Sequence, residues 1–199
     1  MTARSSPKNL VNVRPINDSN LWLAFELGCD DDQIHIRAAL ILREQCEMHA
    51  SDHTHNANDR RQVTVGSVTA TLCKSKGRLD LPVGYECLLN RNGTLREALV
   101  DQCELYGDGV DVFVVEQMEI EPCHRGRGLG LTAMRGLLRT FATGETLAAT
   151  RPLPAIPEGQ TLSPIELREA QERLRRYWQR AGFERYGRSD ILVRAPGRP

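Results

Sequence analysis

EPCHRGRGLGLTAMRGLL, residues Glu121 to Leu138, carries Arg125-Gly126-Arg127-Gly128-Leu129-Gly130 and then turns to apolar residues at helical spacing. Ahead of it lies VDVFVVEQMEI, Val110 to Ile120, apolar on both faces in its first half, as a central strand is. Behind it Leu131, Met134, Leu137, Leu138 and Phe141 fall on one helical stripe, with Arg135 and Arg139 on a polar face. The order is therefore strand, glycine knot, helix. A helix N-terminus presents backbone N–H groups without intrahelical partners, and the dipole there is positive, so an anion is its natural occupant. Glycines let the backbone approach closely and take positive φ, which makes an amide-lined nest. Arg125 and Arg127 add ionic hydrogen bonds, and a pyrophosphate fits such a place. The plain alternative is a tight glycine turn with solvated arginines.

Outward from the knot, the pattern is that of one α/β domain over 11–195. LWLAFEL, Leu21 to Leu27, alternates as a strand, and IHIRAALIL, Ile34 to Leu42, reads as another. QVTVGSVTATLC, Gln62 to Cys73, changes phase between Val65 and Val68, with Gly66 where a bulge would switch faces. TLREALVDQCELY, Thr94 to Tyr106, is helical in spacing, and its Thr94/Glu97 pair has the form of a capping box. TLAAT is a short buried strand. SPIELREAQERLRRYWQRAGF is the clearest helix: Ser163 caps it, Pro164 takes its first turn, Glu166 completes the box and Gly182 ends it. Its expected buried face is Leu167, Ala170, Leu174, Tyr177, Trp178 and Ala181. FERYGRSDILVRA closes the chain as a hairpin. The first ten residues and 196–199 read as tails, and 44–61 as a surface excursion.

The bulk numbers fit an ordinary soluble domain. The chain has 199 residues, a formal net charge of zero and 26% charged residues, which argues against a protein built to coat nucleic acid or acidic membrane. No apolar run approaches transmembrane length. The start, MTARSSPKNL, lacks the apolar core of a secretory signal. Six cysteines scattered singly read as reduced thiols of a cytoplasmic protein. Cys46, His49, His53 and His55 have metal-ligand chemistry, but no second knuckle accompanies them and polar-loop histidines are common, so no metal is expected. The arginines of the final helix, Arg173, Arg175, Arg176 and Arg180, alternate with glutamates and read as a solvated face, not a nucleic-acid contact.

Two phosphate-binding readings compete at the knot. Gly128-Leu129-Gly130-Leu131-Thr132-Ala133 satisfies G-x-G-x-x-A, the dinucleotide fingerprint. Its surroundings do not fit, since no acidic residue ends the next strand and TLAAT runs into Arg151 and Pro152. MEIEPCHRGRGLGLTAMRGLL instead resembles the central motif of the GNAT superfamily of acetyl-CoA-dependent N-acetyltransferases. That motif is an apolar strand, often a proline, then R/Q-x-x-G-x-G/A opening a helix; Arg125, Gly128 and Gly130 hold its defining positions. LRRYWQRAGFERYG resembles the helix, GF and strand that end such domains. The two segments cover the C-terminal half of the chain.

The resemblance implies an α/β fold with a central mixed, splayed β-sheet flanked by α-helices. It implies acetyl-CoA as cosubstrate and direct acetyl transfer to a primary amine of an unidentified small molecule or protein. The pyrophosphate maps to Arg125, Gly126, Arg127, Gly128, Leu129 and Gly130, and the pantetheine arm to Met118, Glu119 and Ile120. The gap for the thioester falls between Met118–Ile120 and Thr146–Thr150. Glu116, an acid inside an apolar strand, is the candidate base; Glu119 and Glu121, of opposite side-chain parity, are alternatives, and all three also fit as partly exposed strand residues. Many members carry a tyrosine four residues before the glycine of GF. Here that position is Trp178, which suits packing, and its neighbour Tyr177 is the candidate acid. The rival function is a GNAT-like domain that binds acyl-CoA without turnover. The expected partners are acetyl-CoA and an amine, with no nucleic acid or membrane, and a homodimer is compatible with the chain.

Overall fold

In the computed structural model, residues 12–15, 20–30, 32–44, 61–75, 78–105, 109–156 and 159–196 are described. The cluster of Cys46, His49, His53 and His55, the N-terminal tail and most of the C-terminal tail lie outside them. The described chain builds an eight-stranded sheet flanked by three α-helices. The strands are β1 (Asn12–Pro15), β2 (Leu21–Cys29), β3 (Gln33–Glu44), β4 (Arg61–Cys73), β5 (Val112–Ile120), β6 (Leu147–Thr150), β7 (Glu184–Arg185) and β8 (Leu192–Arg194). The helices are α1 (Glu97–Cys103), α2 (Leu129–Phe141) and α3 (Pro164–Gln179). The sheet order is β1-β2-β3-β4-β5-β6-β8-β7. Only β5 and β6 pair in parallel, with α2 as the crossover between them; every other pair is antiparallel.

Side-chain alternation splits the core into two layers. Phe113 and Val115 of β5 face α2 and α3, among Leu23, Phe25, Leu40, Leu131, Met134 and Leu137. Val112 and Val114 face the other way, onto the layer of Tyr85, Leu88, Leu99 and Ile191 that carries α1. Phe141 stacks on Phe113 at 5.6 Å and meets Phe25 edge-on at 5.4 Å, which ties the end of α2 to the sheet.

Two bulges reset this alternation. Opposite Leu40 and Ile41 stand Gly66 and Thr64, so Val65 is the extra residue of β4, beside the expected Gly66. Opposite Thr69 and Ala70 stand Gln117 and Val115, so Glu116 is the extra residue of β5. Gly66 is there for space: a Cβ on it would lie 2.2 Å from the Glu119 carbonyl oxygen.

Two expectations need correction. The Thr94/Glu97 capping box does not form: α1 starts at Glu97 with Arg96 as its N-cap and no side-chain cap. Thr94 instead closes a turn with Asn90, its hydroxyl accepting from Asn90 Nδ2 at 2.6 Å and its N–H donating to Asn90 Oδ1 at 3.1 Å. An asparagine four residues upstream offers the backbone a better local partner than the helix does. Within α3 only Trp178 is buried, whereas Ala170, Leu174 and Tyr177 are half-exposed because they line a cleft. The Ser163/Glu166 box of α3 forms in full.

Candidate functional site

The knot folds as strand, 3₁₀ turn (Pro122–His124) and helix. Gly126 and Gly128 have φ of +77° and +75°, the left-handed region that glycine enters without strain, and a Cβ at either would meet nothing within 4 Å. The backbone there borders open space, as a cradle must. Gly128 is the N-cap of α2 and has no side chain to cap it, so the first N–H groups of the helix are left to the cradle. Gly130 has a different reason: its missing side chain admits Tyr177, whose hydroxyl would sit 3.0 Å from a Cβ. That hydroxyl accepts the Leu131 N–H at 2.9 Å. Arg125 folds back, its Nε donating to the Ile120 carbonyl at 2.9 Å, and Arg127 meets His124 Nδ1 at 3.0 Å. Both arginines keep further donors exposed.

From the cradle a cleft of about 540 Å³ runs between the end of β5 and α3, over Met118, Ile120, Leu174 and Tyr177. It continues into a second space of about 340 Å³ that reaches Glu116, Thr150 and Arg151, sharing Met118, Glu119 and Trp178 with the first. Arg173 and Arg180 stand on its rim. Both are exposed, as the solvated-face reading expects, and they also share the side of α3 that borders the cleft. The signal was present: 173, 177 and 180 follow at i, i+4 and i+7, one face of the helix.

The cleft exists because two strands part. β5 and β6 pair from Val112/Leu147 to Val115/Thr150 and no further, so among the described residues no strand lies beside one edge of β5 from Glu116 to Ile120. The gap thus opens past Thr150, against Leu153, Pro154 and Ala155, and not along Thr146–Thr150, which are paired or lead into the pairing. Side chains cover the backbone at the fork. The Val115 carbonyl accepts from Tyr85 Oη at 3.2 Å and from Thr150 Oγ1 at 2.9 Å. Burial pushes the Tyr85 hydroxyl pKa well up, so it stays a donor.

Glu116 sits in the bulge at that fork, exposed on its cleft side, with Oε1 accepting from the Thr71 hydroxyl at 2.7 Å. The extra residue also reverses the parity beyond it. Gln117 and Glu119 pair with Thr69 and Ser67 and so share a face with Glu116, contrary to the alternation expected from the sequence. Glu121 leaves the strand. Met118 and Ile120 are thereby turned onto the α2–α3 side, where they floor the cleft. The structure therefore brings Glu116, Met118, Glu119, Ile120, Arg125, Gly126, Gly128, Leu129, Gly130 and Tyr177 to one cleft, with Tyr177 bound at the knot end and Glu116 at the fork, whereas Arg127, turned to His124, lies outside the cleft lining. Nearby, Cys73 is pushed up to about 12, first by burial and then by Asp80, Glu116 and Asp111, which leaves it an inert thiol.

No family model matches the chain, and no curated protein matches it. Among solved structures the chain is similar to the crystal structure of AtaTR bound with AcCoA, at 14% identity and a TM-score of 0.36, over 79% of this chain and 69% of that one. So slight a likeness does not bear on ligand or activity, which rest on the residues described above.

Proposed function

We propose that this chain is a GNAT-type N-acetyltransferase that moves an acetyl group from acetyl-CoA directly to a primary amine. One observation carries the reading: a glycine cradle, the open edge of β5 and a bulged carboxylate lie in order along one cleft. The cradle's amides and the positive end of α2 suit the pyrophosphate, and Arg125, Arg127, Arg173 and Arg180 suit the remaining phosphate charge. Along Met118, Glu119 and Ile120, the edge of β5 that β6 does not cover suits an amide-bearing arm, held as an added strand would be. Leu174 and Trp178 wall its apolar side. Bound in this way, acetyl-CoA supplies an activated acyl group to a nucleophile at the fork.

Glu116 takes the proton from the acceptor's ammonium group, so that its nitrogen lone pair becomes available. Thr71 fixes that carboxylate through its hydroxyl. Tyr177, expected as the acid, is assigned to the phosphate end: its oxygen accepts from Leu131, and its own proton remains to donate to a phosphate oxygen. A second reading draws on the same residue. With Tyr177 bound at the knot and Trp178 in the family's tyrosine position, the domain would hold acyl-CoA as a sensor without turnover.

Thiol release from acetyl-CoA across a panel of small amines, amino acids, aminoglycosides and peptide N-termini separates the two. For the enzyme, one amine class accelerates release, and Glu116→Gln lowers kcat by roughly 10²–10⁴-fold at unchanged acetyl-CoA affinity. Tight binding with background release for every amine gives the sensor.

A further inference from the structure

On the face of the sheet that carries Val112 and Val114, four side chains join end to end across β5, β4, β3 and the end of β2. Glu116 Oε1 accepts from Thr71 Oγ1 at 2.7 Å. Thr71 Oγ1 meets His35 Nδ1 at 3.2 Å, and His35 Nε2 meets Asp30 Oδ2 at 3.0 Å. The register makes the middle link, since Thr71 is the direct cross-strand partner of His35. The bulge makes the inner one by swinging Glu116 back over Thr71. Burial changes steeply along the line. Thr71 is 1% exposed, whereas the side chains of His35 and Asp30 are 48% and 75% exposed. The line therefore begins at the cleft, crosses the sheet through a buried hydroxyl and ends in water.

We propose that Thr71 and His35 carry the proton collected by Glu116 out of the cleft to solvent, with Asp30 orienting the imidazole. This rests on Glu116 being the base of the proposed transfer. Once Glu116 holds the amine's proton, its O–H bond breaks towards Thr71 Oγ1 while the Thr71 O–H bond breaks towards His35 Nδ1. The ring's lone pair is on Nδ1 in the tautomer that keeps its hydrogen on Nε2, against Asp30. The carboxylate and the Thr71 hydroxyl are thus restored, with the hydroxyl donating to Glu116 as observed. The imidazolium then gives its Nε2 proton to water at the exposed edge beside Asp30, and the neutral ring returns to its Nε2–H tautomer by proton exchange with solvent before the next turnover. One proton leaves the amine and one enters solvent.

The acceptor pays no part in this route, and water need not enter the acyl site. The same residue types in the same order make a hydrolase triad, but here the hydroxyl is enclosed and donates its hydrogen to Glu116 instead of to the imidazole, so Thr71 is no nucleophile. Other charged or titratable groups facing the line are Tyr85 and the Arg151–Asp190 pair near Glu116, Glu26 and Arg37 beside His35, Cys73 on β4 and Glu119 on β5. Asp80, whose carbonyl accepts from Gln33, and the Lys74–Asp111 pair border them. None of them stands within the line.

The test follows the Glu116 carboxyl carbon and the His35 ring nitrogens by NMR across pH, in the full chain, for wild type, Thr71→Ser, the near-isosteric Thr71→Val, and His35→Gln. A relay predicts that the carboxyl signal carries an inflection at the pH where His35 titrates in wild type and Thr71→Ser, absent in Thr71→Val and His35→Gln. An unchanged carboxyl curve in both of the latter overturns it. In the transfer assay with the amine found active, His35→Gln should lower kcat roughly tenfold in dilute buffer, with KM within about twofold, and imidazole buffer should restore the rate. Full activity of His35→Gln without imidazole also overturns the relay. Coupled NMR curves in a chain that transfers to no amine would sink the transferase reading and leave the proton path standing; transfer without coupling does the reverse.

Discussion

The two halves of β5 are one strand with opposite lives. Val112 to Val115 are paired on both edges and buried on both faces. Glu116 to Ile120 keep β4 on one edge, lose β6 on the other, and contain no buried residue. A single extra residue at Glu116 marks the change. The inner half is the most enclosed part of the sheet and holds the fork still. The outer half gives up strand pairing on one side and so has backbone groups to offer a ligand. The difference shows how a fold keeps unpaired backbone at a site: rigid pairing right up to the fork, then side-chain hydroxyls over the last carbonyl.

Substitutions should break this comparison to different degrees. Phe113→Ala, in the inner half, removes a ring that is 0% exposed and stacked on Phe141, and should cost about 3–5 kcal/mol in urea denaturation. Glu119→Ala, in the outer half, should stay within about 0.5 kcal/mol. Equal losses would mean that the halves do not differ. Gly66→Ala forces a Cβ to within 2.2 Å of the Glu119 oxygen, where backbone and not a flexible side chain must yield. It should cost about 1–3 kcal/mol in the same denaturation and weaken acetyl-CoA binding by displacing the outer half.

The fork itself gives a finer handle. Thr150→Val removes one of two donors on the Val115 carbonyl and should cost about 1 kcal/mol, as should Tyr85→Phe. Together they orphan a buried carbonyl, so the double variant should lose more than the sum of the singles. Simple additivity in a thermal melt would show that water already serves that oxygen. The smallest effect is on pH dependence. Glu166, in the α3 cap, and Glu86, accepting from Gly84 N–H, have pKa values lowered by those hydrogen bonds from 4.5. Their contribution is complete above the unfolded-state value and is lost as pH falls through the lower folded value. Tm measured from neutral pH to below 4 should therefore fall less in Glu86→Gln and Glu166→Gln than in wild type.

Much of the glycine cradle was legible because it is local. Alternating glycines, a preceding strand and a following stripe specify a cradle within a few residues, and Ser163-Pro164 with Glu166 specify the start of α3. The fork was not legible, because it depends on cross-strand register. Nothing near Glu116 in sequence announces the bulge, which appears only when Thr69 and Ala70 meet Gln117 and Val115. The parity of Glu119 was misread for that reason. Tyr85, Thr71 and His35 are likewise ordinary residues until the sheet brings them to Val115 and Glu116. The Thr94/Glu97 pair erred the other way: it had the right local form and lost to Asn90.

The central claim is that the cleft from the glycine cradle to Glu116 holds acetyl-CoA, and calorimetric titration tests it most directly. Wild type and Gly128→Glu, which puts bulk and negative charge into the cradle, would each be titrated with acetyl-CoA, CoA and NADPH. The account predicts saturable binding of both CoA forms at one site per chain, at least about tenfold weaker in the variant, and no binding of NADPH. Binding of NADPH alone, or equal acetyl-CoA binding by both proteins, would contradict it.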